Sequence, residues 1–443
     1  MIGGVFLKNA KRIFLTSGFL LLLVVSWAVA LSAKSENEKQ SELIEQAKGY
    51  MEDEIYILAV ALLEEASGYK AKYTFDAEEI LKKAYKKLID QRGYRRKYIE
   101  LLEKQMKRKE ATPEIFLEAA EFYLGDSNLG DALSALREGI SKSGDENLVV
   151  LYENNRYKYN MGYSVYEELT DIFGNTIGVK IGEFWGIANS DGTLRIPCEY
   201  EKISTYSSDR AIVKKDGEIF AVDINNNRLA LLKQQIEDFG NFSEERIGLL
   251  TGEGWKRASG EFELGSHVFE QIGTYSGGYA AAKQGGKWGV IDLAEKWLIS
   301  PDYDGIIMDE LGKCFSRGAV FVKKNEAVYL FLDGKQAGEN FYEDAKPFGK
   351  EGYAAVKKNG LWGFIDNSGE LKIEYGYEDA LSFGQHLAAV KQGDYWGYIN
   401  LYGDIAIKPI FLKAKSFSEG SAPVLTERGW RFISLFEYKS MGK

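Results

Sequence analysis

"LWGFIDNSG", residues 361–369, sets a Trp-Gly pair at the head of a short alternating stretch and closes it on Asn-Ser-Gly. The figure returns as "YWGYINLYG" at 395–403 and as "KWGVIDLAE" at 287–295. Apolar alternation bounded by Gly and Asn reads as a strand running into a hairpin turn. Such recurrence has two explanations: a chemistry that needs the indole, or a structural unit copied along the chain. Spacing separates them. An aromatic followed by Ser or Gly, then small and branched residues, then a turn, begins at Phe173, Tyr206, Phe242, Tyr275, Phe315, Phe348, Phe383 and Phe417. These starts lie 33, 36, 33, 40, 33, 35 and 34 residues apart. A fixed period in this range is the mark of a repeat architecture.

Each copy then enters one slot, filled by Trp185, Trp255, Trp288, Trp362, Trp396 and Trp430, with Ile219 and Val328 in two degenerate copies. Six of the eight tryptophans therefore occupy a single repeat position, and Trp27 and Trp297 stand outside it. A residue needed in every copy is a packing residue before it is a ligand platform. Gly186, Gly289, Gly363 and Gly397 follow the Trp, whereas Lys256 and Arg431 follow it in two copies; the Gly is expected to let the indole lie over neighbouring backbone. Within a copy the pattern predicts three short strands, two of them joined by a tight turn such as "KKNG". An aromatic and an acid, such as Tyr200-Glu201, Tyr342-Glu343 and Tyr377-Glu378, precede most starts by six residues. The chain opens on this third-strand element at Tyr166-Glu167-Glu168 and closes on the first two strands, through Trp430 and Phe436. That offset favours a propeller-like ring of about eight small blades, with an open β-solenoid as the alternative.

Residues 160–438 resemble the WG-repeat family, also met as KWG repeats and found mainly in bacterial proteins. Trp396-Gly397-Tyr398-Ile399-Asn400, Ile407-Lys408-Pro409 and Phe417-Ser418-Glu419-Gly420 carry the likeness. The resemblance implies a β-rich binding or scaffold module and brings no catalytic residues.

The N-terminal third reads differently. Ile13 to Leu31 is a run of 19 residues without a charge, and about 20 apolar residues span a bilayer core as a helix. Lys8, Lys11 and Arg12 precede it, so residues 1–12 are expected to stay cytoplasmic and the remainder to be exported. A signal peptide cleaved near Ala30 is the alternative, since Ala28-Val29-Ala30 fits a cleavage pattern. Residues 32–150 carry helical periodicity, as in Ile55, Leu58, Ala59, Leu62 and Leu63, or Ile80, Leu81, Ala84, Tyr85 and Leu88. Pro113 to Gly144 resembles a tetratricopeptide (TPR) helix pair, with Phe116, Ala119, Ala120 and Tyr123 on one helix and Ala132, Leu136 and Gly139 on the other. The usual Trp and closing Pro of that repeat are missing. The resemblance implies stacked helices with a concave face for protein segments. Twelve Lys or Arg residues between Lys82 and Lys109 suggest either a patch for an anionic surface or a solvated helix face interleaved with acids.

Composition narrows the function. A net charge of −10 argues against nucleic acid as a partner. His267 and His386, the two histidines, leave little for metal sites or general-base chemistry, and Cys198 and Cys314 are expected to be free thiols. "DINNN" at 223–227 could be an oxygen-rich cation loop but aligns with the hairpin turns of other copies. There is no nucleophile elbow, P-loop, CxxC or HExxH. The expectation is therefore a membrane-anchored, non-catalytic binding protein of the bacterial cell envelope, with no cofactor and no metal. Protein partners or cell-wall polysaccharide would be its ligands, and a hydrolase sited in the array's central cavity is a remote alternative.

Overall fold

The structure, a computed structural model, describes residues 35–231 and 235–441. The tail 1–12 expected to be cytoplasmic, the apolar run 13–31 and the cleavage pattern near Ala30 lie outside the described residues. Among those described, no helix is long and apolar enough to cross a membrane. The chain divides into two units between Tyr152 and Glu153.

The first unit is helical. α1 (residues 35–52) is followed by α2 (Tyr56–Gly68), α3 (Thr74–Lys87), α4 (Tyr94–Met106), α5 (Pro113–Gly125), α6 (Leu129–Ser143) and α7 (Glu146–Glu153). Small residues let consecutive helices approach: Ala59, Ala66, Ala77, Ala84, Ala119 and Ala120 are fully buried. A β-carbon on Gly139 would fall 2.7 Å from both Phe116 and Leu148, so the glycine marks close contact of α6 with α5 and α7. The face of α2 is in part the expected one, with Ala59 and Leu63 on it, and is rotated toward Val60 and Ala66. Its buried side is Ala59, Val60, Leu63 and Ala66, while Ile55 and Leu58 are exposed. Half of the basic stretch is absorbed internally. Lys82 and Lys86 pair with Glu118, Lys97 with Glu64, Arg95 with Asp126, and Lys104 and Arg108 with the fully buried Glu78.

The second unit is a ring of eight antiparallel sheets among the described residues, an eight-bladed β-propeller. The sixth blade shows the plan. A two-residue stub, Asp344–Ala345, is followed by Tyr353–Lys358, Leu361–Asp366 and Leu371–Tyr377, hydrogen-bonded in that order. Asn359 and Gly360 turn the first hairpin at φ +52° and +81°, values that Asn and Gly tolerate best. The expected three strands are thus corrected to four in most blades. The stub pairs through only two residues (Asp344 with Lys357, Ala345 with Val356), too few for any alternation to show in sequence. The third blade has three strands, and its outer edge is replaced by bridges from Trp255 to Phe269 and from Ala258 to Leu264.

Closure removes the open-solenoid alternative. The last blade contains Lys413–Ala414, Ser421–Thr426 and Gly429–Leu435, and its fourth strand is Tyr159–Met161, from the beginning of the same unit. Tyr159 faces Leu435 and Met161 faces Ile433. Arg431 donates to the Gly162 carbonyl at 2.7 Å, and Tyr166 exchanges both backbone hydrogen bonds with Trp430. The beginning and the end of the unit thus meet in one sheet, which joins the ring.

Candidate functional site

The Trp slot is part of the repeat core. Trp362 pairs across the first hairpin with Lys357 and across the second with Tyr377; Trp396 repeats this with Lys391 and Phe411. Trp362 and Trp396 are buried, while Trp185, Trp255, Trp288 and Trp430 are half-buried. Lysines cover several rings, Lys180 lying 5.7 Å from Trp185, Lys283 6.0 Å from Trp288 and Lys346 5.1 Å from Trp362. Trp297 begins the outer strand of the fourth blade and packs edge-on against Phe269.

The glycine after the Trp has a different cause from the one expected. The outer strand bulges toward it, and a β-carbon would stand 2.4 Å from the Ile196 carbonyl oxygen at Gly186, 2.3 Å from that of Ile299 at Gly289, 2.8 Å from that of Ile373 at Gly363 and 2.5 Å from that of Ile407 at Gly397. Register shifts at each of these places record the bulge. The third blade has no outer strand, so Lys256 is tolerated there.

The other repeat markers join one blade to the next. The acid after the aromatic accepts an N–H from the first hairpin turn of the following copy: Glu343 from Gly360 at 3.0 Å, Glu270 from Gly286 at 2.9 Å, and Asp304 from Asn325 at 2.8 Å. The aromatic hydroxyl can reach the second turn of the following copy, as Tyr166 does to the Gly192 carbonyl at 2.8 Å and Tyr200 to Asn226 at 2.6 Å. Small residues beside the start aromatics lie against the next start aromatic's carbonyl. Ser276, after Tyr275, donates to Phe315 and Thr205, before Tyr206, donates to Phe242, while a β-carbon on Gly384, after Phe383, would sit 2.3 Å from the Phe417 oxygen.

Inside the ring the copies cease to be alike. The segments that follow the stubs of the first and fourth to eighth blades surround a cavity of about 520 Å³. The insertion at Ile306 to Lys313, which stretches one repeat spacing to 40, crosses this space. The Leu311 carbonyl accepts from Asn241, and the Gly312 carbonyl accepts the Thr274 N–H at 2.8 Å. Glu310 pairs with the buried Lys415 of the eighth blade, which also holds Asp171 of the first at 3.1 Å. Burial works against the Lys415 charge, but the two carboxylates outweigh it and hold its pKa above the ordinary lysine value. Asp309 accepts the Lys313 N–H on its side chain at 2.8 Å. Burial pushes its carboxyl up to about 6, against the opposing pull of Lys313. Burial also depresses the Lys313 ammonium, and the carboxylates of Asp309 and Asp171 offset this only in part. Lys313 lies 4.2 Å from the Phe173 ring. None of these side chains was legible as a site in sequence, although the irregular spacing pointed to the insertion.

The remaining candidates resolve as structure. His267 meets Glu295 at 2.7 Å, and Arg257 meets the same carboxylate at 2.9 Å; together they pin the strandless edge of the third blade. His386 is exposed in a tight turn at φ +64°. The Asp223 carboxylate accepts the N–H groups of Asn225 and Asn227, so "DINNN" is a turn of the same kind as Asp366 to Glu370. Cys198 and Cys314 are unpaired, and burial drives the Cys314 thiol to about 12.

The WG containing repeat family matches at residues 185–218, 266–288, 288–326, 342–362, 362–396 and 396–430. Most of the ring is built of WG repeats. No curated protein matches the chain. Among solved structures, this WG-repeat chain is similar to Hsv2 of Kluyveromyces lactis at 10% identity and a TM-score of 0.35, over 62% of this chain and 97% of that one. It is also similar to a eukaryotic initiation factor at 8% and 0.39, over 59% and 82%, and to YCF48 of Cyanidioschyzon merolae at 10% and 0.30, over 62% and 98%.

Proposed function

We propose that this WG-repeat protein is a non-catalytic, membrane-anchored binding or scaffold protein of the bacterial cell envelope, engaging protein partners through its TPR-like helices and its propeller. One observation carries the reading. The signature residues are consumed in packing and in joining blades, while the one insertion in the repeat lies on the inner face of the ring. Recognition in repeat proteins lives in such departures. Exposed Ile55, Ile57, Leu58 and Phe75 on the helical unit add apolar surface suited to a protein partner. The uncharged run 13–31, with Lys8, Lys11 and Arg12 before it, supports the anchor and its orientation. Protease added to intact cells should digest the C-terminal ring; its full protection would refute export.

A second reading, polysaccharide binding, draws on Tyr163 and Tyr402, which are 97% and 88% exposed. Tyr402→Ala should abolish retention on cell-wall polysaccharide under this reading and leave it unchanged under the first.

A further inference from the structure

We infer that the central cavity binds a small oxyanion-bearing molecule, one that presents phosphate or carboxylate groups to its lysine-rich wall. The volume of about 520 Å³ falls within the roughly 300–1,000 Å³ typical of small-molecule sites and is too small for a folded partner. Lys313, Arg317, Lys346 and Lys350 line it, against Asp171, Asp309 and Glu310. The carboxylates are already engaged. Asp171 and Glu310 are held by Lys415, and Asp309 closes the turn onto the Lys313 N–H. The four cations have no carboxylate partner among the described residues, although Lys313 and Lys346 face the Phe173 and Trp362 rings. Lys350 lies near enough to Lys313 to push its ammonium further down. With Lys415 counted, the inner face carries a positive excess in a chain whose net charge is −10.

Desolvating an ammonium costs free energy that a facing aromatic ring recovers only in part. Lys313 has the Phe173 ring but no carboxylate within ion-pairing distance, so an incoming oxyanion completes its surroundings. Arg317 and Lys350, both exposed at the wall, supply the second and third contacts, and Ser316 and Ser418 add hydroxyls. The insertion makes this site, because it brings Lys313 into the ring and positions Glu310 to neutralise Lys415. The inference stands apart from the scaffold reading, which requires no small ligand.

Calorimetric titration of the full-length chain at low ionic strength, with inorganic phosphate and separately with citrate, tests it. Saturable binding of one anion per chain by either probe is expected, and the probe that binds tells phosphate from carboxylate. Lys313→Met, Lys350→Ala and Arg317→Ala should each weaken binding about tenfold, the two exposed substitutions without a change in melting temperature. Should Lys313→Met fail to fold, the exposed pair decides. No binding of either probe, or affinity unchanged in the folded variants, would overturn the site.

Discussion

Gly397 shows how much a repeat can demand of one residue. Its missing side chain is where the Ile407 carbonyl and the Pro409 nitrogen sit, at 2.5 and 2.6 Å from a would-be β-carbon. Gly397→Ala should lower stability by about 2 kcal/mol in urea unfolding, as overpacking of a close contact does; Lys256→Ala, in the blade without an outer strand, should be nearly neutral. Asp309 supports a second prediction. Its raised carboxyl pKa means that the folded chain holds a proton, between the ordinary carboxylate range and about pH 6, that the unfolded chain has lost. This group therefore stabilises the fold below its ordinary range, and that contribution fades as pH rises through about 6. Among the groups facing it, Lys313 lowers its pKa and Asp171 raises it. Carbon NMR of the Asp309 carboxyl should show a midpoint near 6, and Lys313→Met should move it upward; an ordinary aspartate midpoint in the native chain would refute the burial argument. The Trp was legible as packing because it recurs. The demand on the Gly was not, because the bulge that creates it belongs to another strand.

At the scale of elements, the strand hairpins follow from alternation and turn chemistry alone. The turns that open the second strands are less favourable than they could be. Ser208 and Asp209 adopt φ +49° and +60°, as do the equivalent Glu244 and Glu245 at +51° and +55°. Left-handed backbone at two successive non-Gly residues costs on the order of 1 kcal/mol each. Replacing Ser208-Asp209 with Asn-Gly should raise stability by about 1 kcal/mol, read as a higher denaturation midpoint. The same exchange at Glu244-Glu245 should give less, because Glu244 accepts the N–H groups of Gly277 and Gly278 in the next blade at 2.7 and 2.9 Å. The stubs escaped the sequence pattern. Two residues have no period, and their place is set by the strand they pair with. In the helical unit, the buried face of α2 keeps Ala59 and Leu63 of the periodic one but takes in Ala66, a small residue suited to close helix approach, and leaves Leu58 exposed.

For the whole molecule, closure is the cooperative element. Tyr159–Met161 completes a sheet whose other strands lie some 270 residues later in the chain. Asn160→Pro with Gly162→Pro removes the two backbone donors that this strand turns toward Gly429–Leu435, the Gly162 N–H reaching the Phe432 carbonyl at 2.7 Å. Each buried group left unpaired costs about 1–3 kcal/mol, so the denaturation midpoint should fall and limited proteolysis should begin between residues 153 and 165. An unchanged midpoint would mean that the ring does not depend on this strand. The period of the repeat, the two-module organisation, the packing role of the Trp and the offset that allows closure are all set by sequence, because each rests on local pairing or on recurrence along the chain. The cavity and its charge were decided only by tertiary structure. Asp171, Lys313 and Lys415 are far apart in the chain and ordinary in their local context; they share one space because six of the blades turn their inner edges toward it.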